Sequence, residues 1–175
     1  MKSRIMLVVL GCVLAACSDQ STPLAPDAAG SVSLSQGGAP TPISGDLAVD
    51  EFATVVCGFT VQSGFIGKQK VLAFPNGRTT ILFPAYKQTW INASTGRTIT
   101  RSLTGSFHIN PLPNGDTEIV FTGNNAIAFI NPDDATQNFL VLITGRFTQV
   151  IGPDGSLVQA LEGNGRRIDV CSLLA

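Results

Sequence analysis

Thr98-Ile99-Thr100-Arg101-Ser102-Leu103-Thr104-Gly105-Ser106-Phe107-His108-Ile109 alternates between two kinds of side chain. Thr98, Thr100, Ser102, Thr104, Ser106 and His108 form a polar set. Ile99, Leu103, Phe107 and Ile109 form an apolar one, with Arg101 and Gly105 among them. Successive side chains of a strand point to opposite faces, so a period of two marks a strand half in the core and half in water. The same period runs onward from Glu51, and no stretch after residue 50 carries a helical stripe. The body of the chain therefore belongs to the all-β class.

The connections are written in turn residues. Pro75-Asn76-Gly77, Pro113-Asn114-Gly115 and Pro153-Asp154-Gly155 share one design. Pro presets φ for a type I turn, Asn or Asp tolerates the second position, and Gly takes the left-handed one. This is a three-residue hairpin loop with a bulge. Ser94-Thr95-Gly96 predicts a fourth hairpin connection. Thr104-Gly105, Phe107, Pro113-Asn114-Gly115 and Gly123-Asn124 recur at an offset of 40 as Thr144-Gly145, Phe147, Pro153-Asp154-Gly155 and Gly163-Asn164. With two long strands per unit, the recurrence is one hairpin geometry used again rather than a repeat array.

Each turn sets a register. The loop at 113–115 places Gly105 opposite Gly123 and Phe107 opposite Phe121. The loop at 153–155 places Gly145 opposite Gly163, Arg146 opposite Glu162 and Gln149 opposite Gln159. Paired glycines in mid-strand mark a sharp bend or a close backbone approach. The alternation changes phase after Gly163, which predicts a bulge near Gly165. Strands are expected over about 51–62, 66–74, 78–92, 97–110, 116–130, 139–151 and 156–171. The expected fold is an antiparallel meander of 7–8 long bent strands closed into a barrel. The alternative is a two-sheet β-sandwich.

Residues 1–17 have a separate character. Lys2 and Arg4 make a basic start, and Ile5 to Val13 is an apolar run broken by Gly11. It is too short for a permanent membrane span and suits the core of a signal peptide. Leu14-Ala15-Ala16-Cys17 ends it and resembles the lipobox of bacterial lipoproteins. The resemblance implies cleavage before Cys17 and lipid on its sulfur, with residues 1–16 as signal peptide. It implies a chain anchored in the cell envelope through its lipid. Ser18 in place of an Asp favours the outer membrane if the host is Gram-negative. Residues 17–46 hold Pro23, Pro26, Pro40 and Pro42, many Ser, Ala and Gly, and no Lys or Arg. They are expected to form a disordered tether spanning roughly 30 Å, with the β domain over 47–175.

Cleavage would remove Lys2 and Arg4 and no acid, so 11 basic residues fall to 9 against 12 acidic ones, a net charge of −3. Nucleic-acid binding needs a basic patch, and this balance argues against it. Cys12 would leave with the signal and Cys17 would take lipid, so Cys57 and Cys171 remain. Outside the cytoplasm a disulfide is the simplest role for such a pair. A catalytic or metal-bound cysteine is the alternative, without a CxxC or a His partner in support. The tail Arg167-Ile168-Asp169-Val170-Cys171-Ser172-Leu173-Leu174-Ala175 resembles the Cys-bearing end of uncharacterised exported all-β bacterial proteins. That resemblance implies only the fold and the disulfide.

Catalytic chemistry has little to stand on. There is no G-x-S-x-G, and the one histidine, His108, lies on the Ser/Thr face with Ser106. An orienting carboxylate and an oxyanion hole are missing from the pattern. Asn131-Pro132-Asp133-Asp134 lacks the spacing of an EF-hand loop, and a turn accounts for it. Asn92-Ala93-Ser94 matches a glycosylation sequon and equally a polar hairpin turn. No catalytic residue, metal site or cofactor is assigned. Four polar residues on the apolar phase are the candidates for lining a ligand cavity: Arg101, Asn125, Gln149 and Gln159. The same residues could instead sit at a wetted rim, because one bulge flips every side chain. The expected function is a lipid-anchored domain that binds a small apolar ligand or a protein partner. The alternatives are a structural envelope protein and a barrel enzyme acting on a hydrophobic substrate. The last is an analogy to allene-oxide-cyclase-like barrels, in architecture alone.

Overall fold

The computed structural model describes residues 38–131 and 134–175. The signal, Cys17 and most of the tether lie outside the described residues. The described chain is all-β and antiparallel, with nine strands in one sheet. They are β1 (Thr41–Val49), β2 (Val61–Ala73), β3 (Thr79–Leu82), β4 (Lys87–Asn92), β5 (Thr98–Ser102), β6 (Ser106–Pro111), β7 (Thr117–Phe129), β8 (Phe139–Ile151) and β9 (Leu157–Asp169). Two short α-helices, α1 (Glu51–Cys57) and α2 (Val170–Leu174), and one 3-10 turn over Ala135–Gln137 complete it.

The four turns form as their residues dictate. Phe74, Leu112 and Gly152 each donate a backbone N–H across their loop to Arg78, Asp116 and Ser156 at 2.8 Å. Gly77, Gly115, Gly155 and Gly96 all take positive φ. The first two hairpin registers follow from the turns, and Phe107 lies opposite Phe121. The third does not. Ile151 pairs with Leu157, but Val150 pairs with Gln159 and Thr148 with Glu162. Two irregularities near the turn thus advance β9 by two residues. Gly145 faces Gly165 rather than Gly163, and Arg146 faces Asn164 rather than Glu162. Gln149 and Gln159 are not opposed. The phase change lies on the turn side of Gly163, not near Gly165.

Other expectations are also corrected. The span 78–92 is broken at Phe83-Pro84-Ala85-Tyr86, where Ala85 takes φ 57°, and 97–110 is broken at Leu103-Thr104-Gly105. Both breaks occur where the partner changes. β3 and β4 share β2 as a neighbour on one side, and β6 and β5 flank them on the other. β1 takes in Thr41 to Asp46, assigned above to the tether, and pairs with β2. Pro42 is tolerated because β1 is an edge strand. Residues 51–57 are helical rather than extended. Asp50 caps α1 by accepting the Ala53 N–H at 2.9 Å, and Gly58 ends it in the left-handed conformation. Those caps, with burial of Ala53, outweigh the strand preference of Val55 and Val56. Residues 170 and 171 likewise start α2 rather than end a strand, with Asp169 as the cap.

The sheet is not closed into a barrel: its strand path runs β5-β4-β2-β3-β6-β7-β8-β9, with β1 beside β2. It is creased instead. Gly123 pairs with Gly145 and Gly145 with Gly165, and Gly105 lies beside Gly123 on the next strand. This glycine line crosses the sheet. On its turn side β6 and β7 are hydrogen-bonded, while on its other side β5 follows β4 away from β7. The two halves then face each other in a sandwich-like arrangement. Trp90 of β4, Leu103, and Leu140 and Leu142 of β8 share one core cluster with Ala53, Val61, Val170 and Leu174. The helices plug this space, α1 against β2 and β8, and α2 against β8, β4 and β5. A disulfide joins them through Cys57 and Cys171, with Cα atoms 5.1 Å apart. A second cluster, Phe121, Ile127, Val141, Ile143, Phe147 and Leu161, spans the glycine line.

Candidate functional site

Beyond the crease, where β5 pairs with β4 and not with β7, a slot opens, and it holds two adjoining cavities. One of about 220 Å3 is lined by Phe83, Tyr86, Gln88, Leu103, Phe107, Asn125 and Ala126. The other, of about 230 Å3, is lined by Asp50, Phe52, Ala53, Gln88, Trp90, Ala126, Ala128 and Leu140. Gln88 and Ala126 line both. The room comes from small residues: Ala126 and Ala128 put methyl groups where a typical strand carries branched side chains.

The aromatic wall follows from the strand break. Pro84 and Ala85 reset the chain so that Phe83 and Tyr86 flank the bulge and pack together. Phe65 stacks on Tyr86 at 5.5 Å between centroids, Tyr86 meets Phe83 at 5.4 Å, and Phe83 meets Phe107 edge-on at 5.3 Å. Phe107 then meets Phe121 at 5.1 Å. Phe65 can lie flat because Gly45, its cross-strand partner, has no side chain to obstruct the ring.

Three polar side chains line the slot with capacity to spare. Asn125 is 2% exposed, and its Nδ2 donates to the Thr122 carbonyl at 3.0 Å. Its Oδ1 sits over Gly105, where any side chain would collide with it. No donor among the described residues reaches that oxygen. The Gln88 amide and the Tyr86 hydroxyl also lack hydrogen-bond partners among the described residues. Burial pushes the Tyr86 hydroxyl up to about 12, so it stays a neutral donor across the physiological range.

The four candidates from the sequence divide. Asn125 lines the slot. Arg101 shares the phase of Ile99 and Leu103 but is exposed. It lies directly opposite Gln88. Gln149 is buried at 4% exposure with its Oε1 unpartnered, on β8 opposite Ile119 and outside both cavities. Gln159 is exposed on β9. Gln88, Tyr86 and Ala126 were not singled out by the sequence. The signals were Pro84 inside an apolar run, and two alanines at strand spacing.

His108 is not a free surface histidine. Its Nε2 lies 3.1 Å from the Ser106 hydroxyl and its Nδ1 3.2 Å from that of Thr80. The Ser106 hydroxyl is also 2.6 Å from that of Thr122. The third member of this set is a threonine, not a carboxylate. Phe107 lines the slot, so its neighbours Ser106 and His108 point to the opposite face. Asn92 of the sequon is 3% exposed. Its Nδ2 donates to the Leu174 carbonyl at 3.1 Å, and its Oδ1 accepts from Ser94, so it is a structural residue. Asp134 caps a short 3-10 helix over Ala135–Gln137. The Thr136 hydroxyl and N–H hold its carboxyl below the usual range. Pro132 and Asp133 lie outside the described residues. No group of three His, Cys, Asp or Glu among the described residues is placed to hold a metal. Comparison with protein-family models, with curated proteins and with solved structures finds no match.

Proposed function

We propose that this is an extracytoplasmic, lipid-anchored binding domain whose slot takes a small apolar ligand. The observation that supports it is the 220 Å3 cavity. Aromatic rings wall it, and three lining side chains (Tyr86, Gln88 and Asn125) have unused hydrogen-bonding capacity. Ligand sites are concave, mostly apolar and furnished with a few polar groups. Unpaired amides beside an apolar cleft are favourable only if water or a ligand satisfies them. The cavities are small, so the ligand body is a few rings, not a long lipid. The Ser106–His108 pair, on the other face of the sheet, has no part in this site.

The slot is tested with N-phenyl-1-naphthylamine, a neutral fluorophore that joins a phenyl ring to a naphthalene. The protein is expected to bind it, and Ala126→Leu, which fills the space shared by both cavities, should weaken binding by about ten-fold or more. The unfolding midpoint of the variant should stay near that of the parent, since the added side chain enters a void. An Ala126→Leu protein that is folded and binds the probe as well as the parent does would remove the slot from consideration.

The anchor rests on the lipobox resemblance. Replacement of Cys17 by Ser should leave the precursor uncleaved and release the domain from lipid modification. Labelling with a radioactive or alkyne-bearing fatty acid checks both. Unchanged processing and labelling of Cys17→Ser would refute it.

A further inference from the structure

One cation stands beside the slot without a partner. Arg101 is directly opposite Gln88 in the β4–β5 pair. Opposed residues of an antiparallel pair point to the same side, with Cβ atoms about 5 Å apart. Gln88 lines both cavities, so Arg101, which is exposed and lines neither itself, lies on the slot side of the β4–β5 pair. Its guanidinium donates to the carbonyl of its own neighbour Thr100 at 3.1 Å. No carboxylate among the described residues pairs with it. Asp50 is the one carboxylate among the lining residues. It belongs to the cavity next to α1, and its Oδ1 is already committed to the Ala53 N–H. The cavity on the far side of Gln88 from α1 is walled by rings, and the residue opposite Gln88 on the next strand is an unneutralised cation. Ring edges and faces presented by Tyr86, Phe83 and Phe107 suit another flat ring. A guanidinium suits a planar or tetrahedral anion.

We infer that the slot takes an aromatic acid: a ligand with a flat ring body seated among Tyr86, Phe83, Phe107 and Ala126, and one anionic group held by Arg101. This rests on the slot being the binding site. The anion would point outward to the rim, and the neutral amides of Gln88 and Asn125 would meet polar substituents on the body.

Two probes with the same body separate the inference from its foundation. 8-Anilinonaphthalene-1-sulfonate is N-phenyl-1-naphthylamine with a sulfonate added. At low salt the parent protein should bind the sulfonate about five-fold more tightly than the neutral probe, as a screened rim contact allows. That advantage should vanish near about 1 M salt. Arg101→Gln should abolish the advantage while leaving the neutral probe within about two-fold, and Arg101→Lys should keep most of it. Arg101 is exposed, so neither variant should change the unfolding midpoint. Equal affinities in the parent, or an Arg101→Gln that weakens both probes alike, would overturn the inference and leave the slot standing. Binding of both probes undiminished by Ala126→Leu would overturn the slot itself.

Discussion

Replacing Cys57 and Cys171 together with Ala is expected to lower the unfolding free energy by about 4 kcal/mol, near the chain-entropy limit for a loop of this length. The two cysteines are 114 residues apart in sequence, so the bond constrains almost the whole domain in its unfolded state. It also acts locally. α1 has 7 residues and α2 has 5, both far too short to persist in water without packing. They hold their places through Ala53, Val170 and Leu174, which are 2%, 0% and 0% exposed, and through the bond between them. Without it the plug between the sandwich halves should open before the sheet does. Trp90 is the one tryptophan in the chain and is 1% exposed in that cluster. Its fluorescence should therefore shift at lower denaturant than the far-ultraviolet circular dichroism of the double variant, while the two signals coincide in the parent. The thermal midpoint should fall by about 10–20 °C. A loss under about 1 kcal/mol, with coincident transitions, would mean that the helices are held by packing alone.

Much of this fold is legible in the sequence because it is local. A Pro-Asn-Gly loop dictates its own geometry, and the register of β6 with β7 follows within a few residues. The pairing of cysteines at the two ends of the domain is legible for a different reason: no CxxC or His partner accompanies either thiol, which leaves a disulfide as their simplest role. What is not legible depends on partners distant in sequence. Two register shifts between the turn and Glu162 bring Gly145 opposite Gly165; the phase change within β9 announces a bulge but not its place. Closure or opening of the sheet depends on where β5 goes after the crease, which Leu103-Thr104-Gly105 alone cannot say. α1 has capping residues in Asp50 and Gly58, but the period of two from Glu51 and its valines argue for a strand. At the slot, Asn125 stood out as a polar residue on an apolar phase. Gln88 did not, because Pro84 and Ala85 shift the phase just before it.

The glycine crease carries the second large effect. Gly165→Ala and Gly145→Ala are each expected to cost about 2–4 kcal/mol, from two sources that add. Both glycines have φ in the left-handed half of the map, +148° and +128°, where an L side chain is strained by about 1–2 kcal/mol. Each would also drive a methyl group into backbone. At Gly165 it would meet the Thr144 carbonyl, and at Gly145 the Asn164 carbonyl. Carbonyls of paired strands cannot turn aside as a flexible side chain can. Gly115 provides the control, with φ +89° but open space around it, so Gly115→Ala should cost only about 1 kcal/mol. The close approach also predicts coupling. Because Gly145 and Gly165 face each other, the first methyl must already spread β8 from β9, and the second then enters a gap that exists. The double variant should thus lose at least about 1 kcal/mol less than the single losses combined. Urea unfolding of the four proteins measures this directly. Strict additivity would mean that the two glycines are needed only for their φ angles. A neutral Gly165→Ala would mean that the sheet bends by some other means, and the slot that opens beyond the crease would then need a different structural cause.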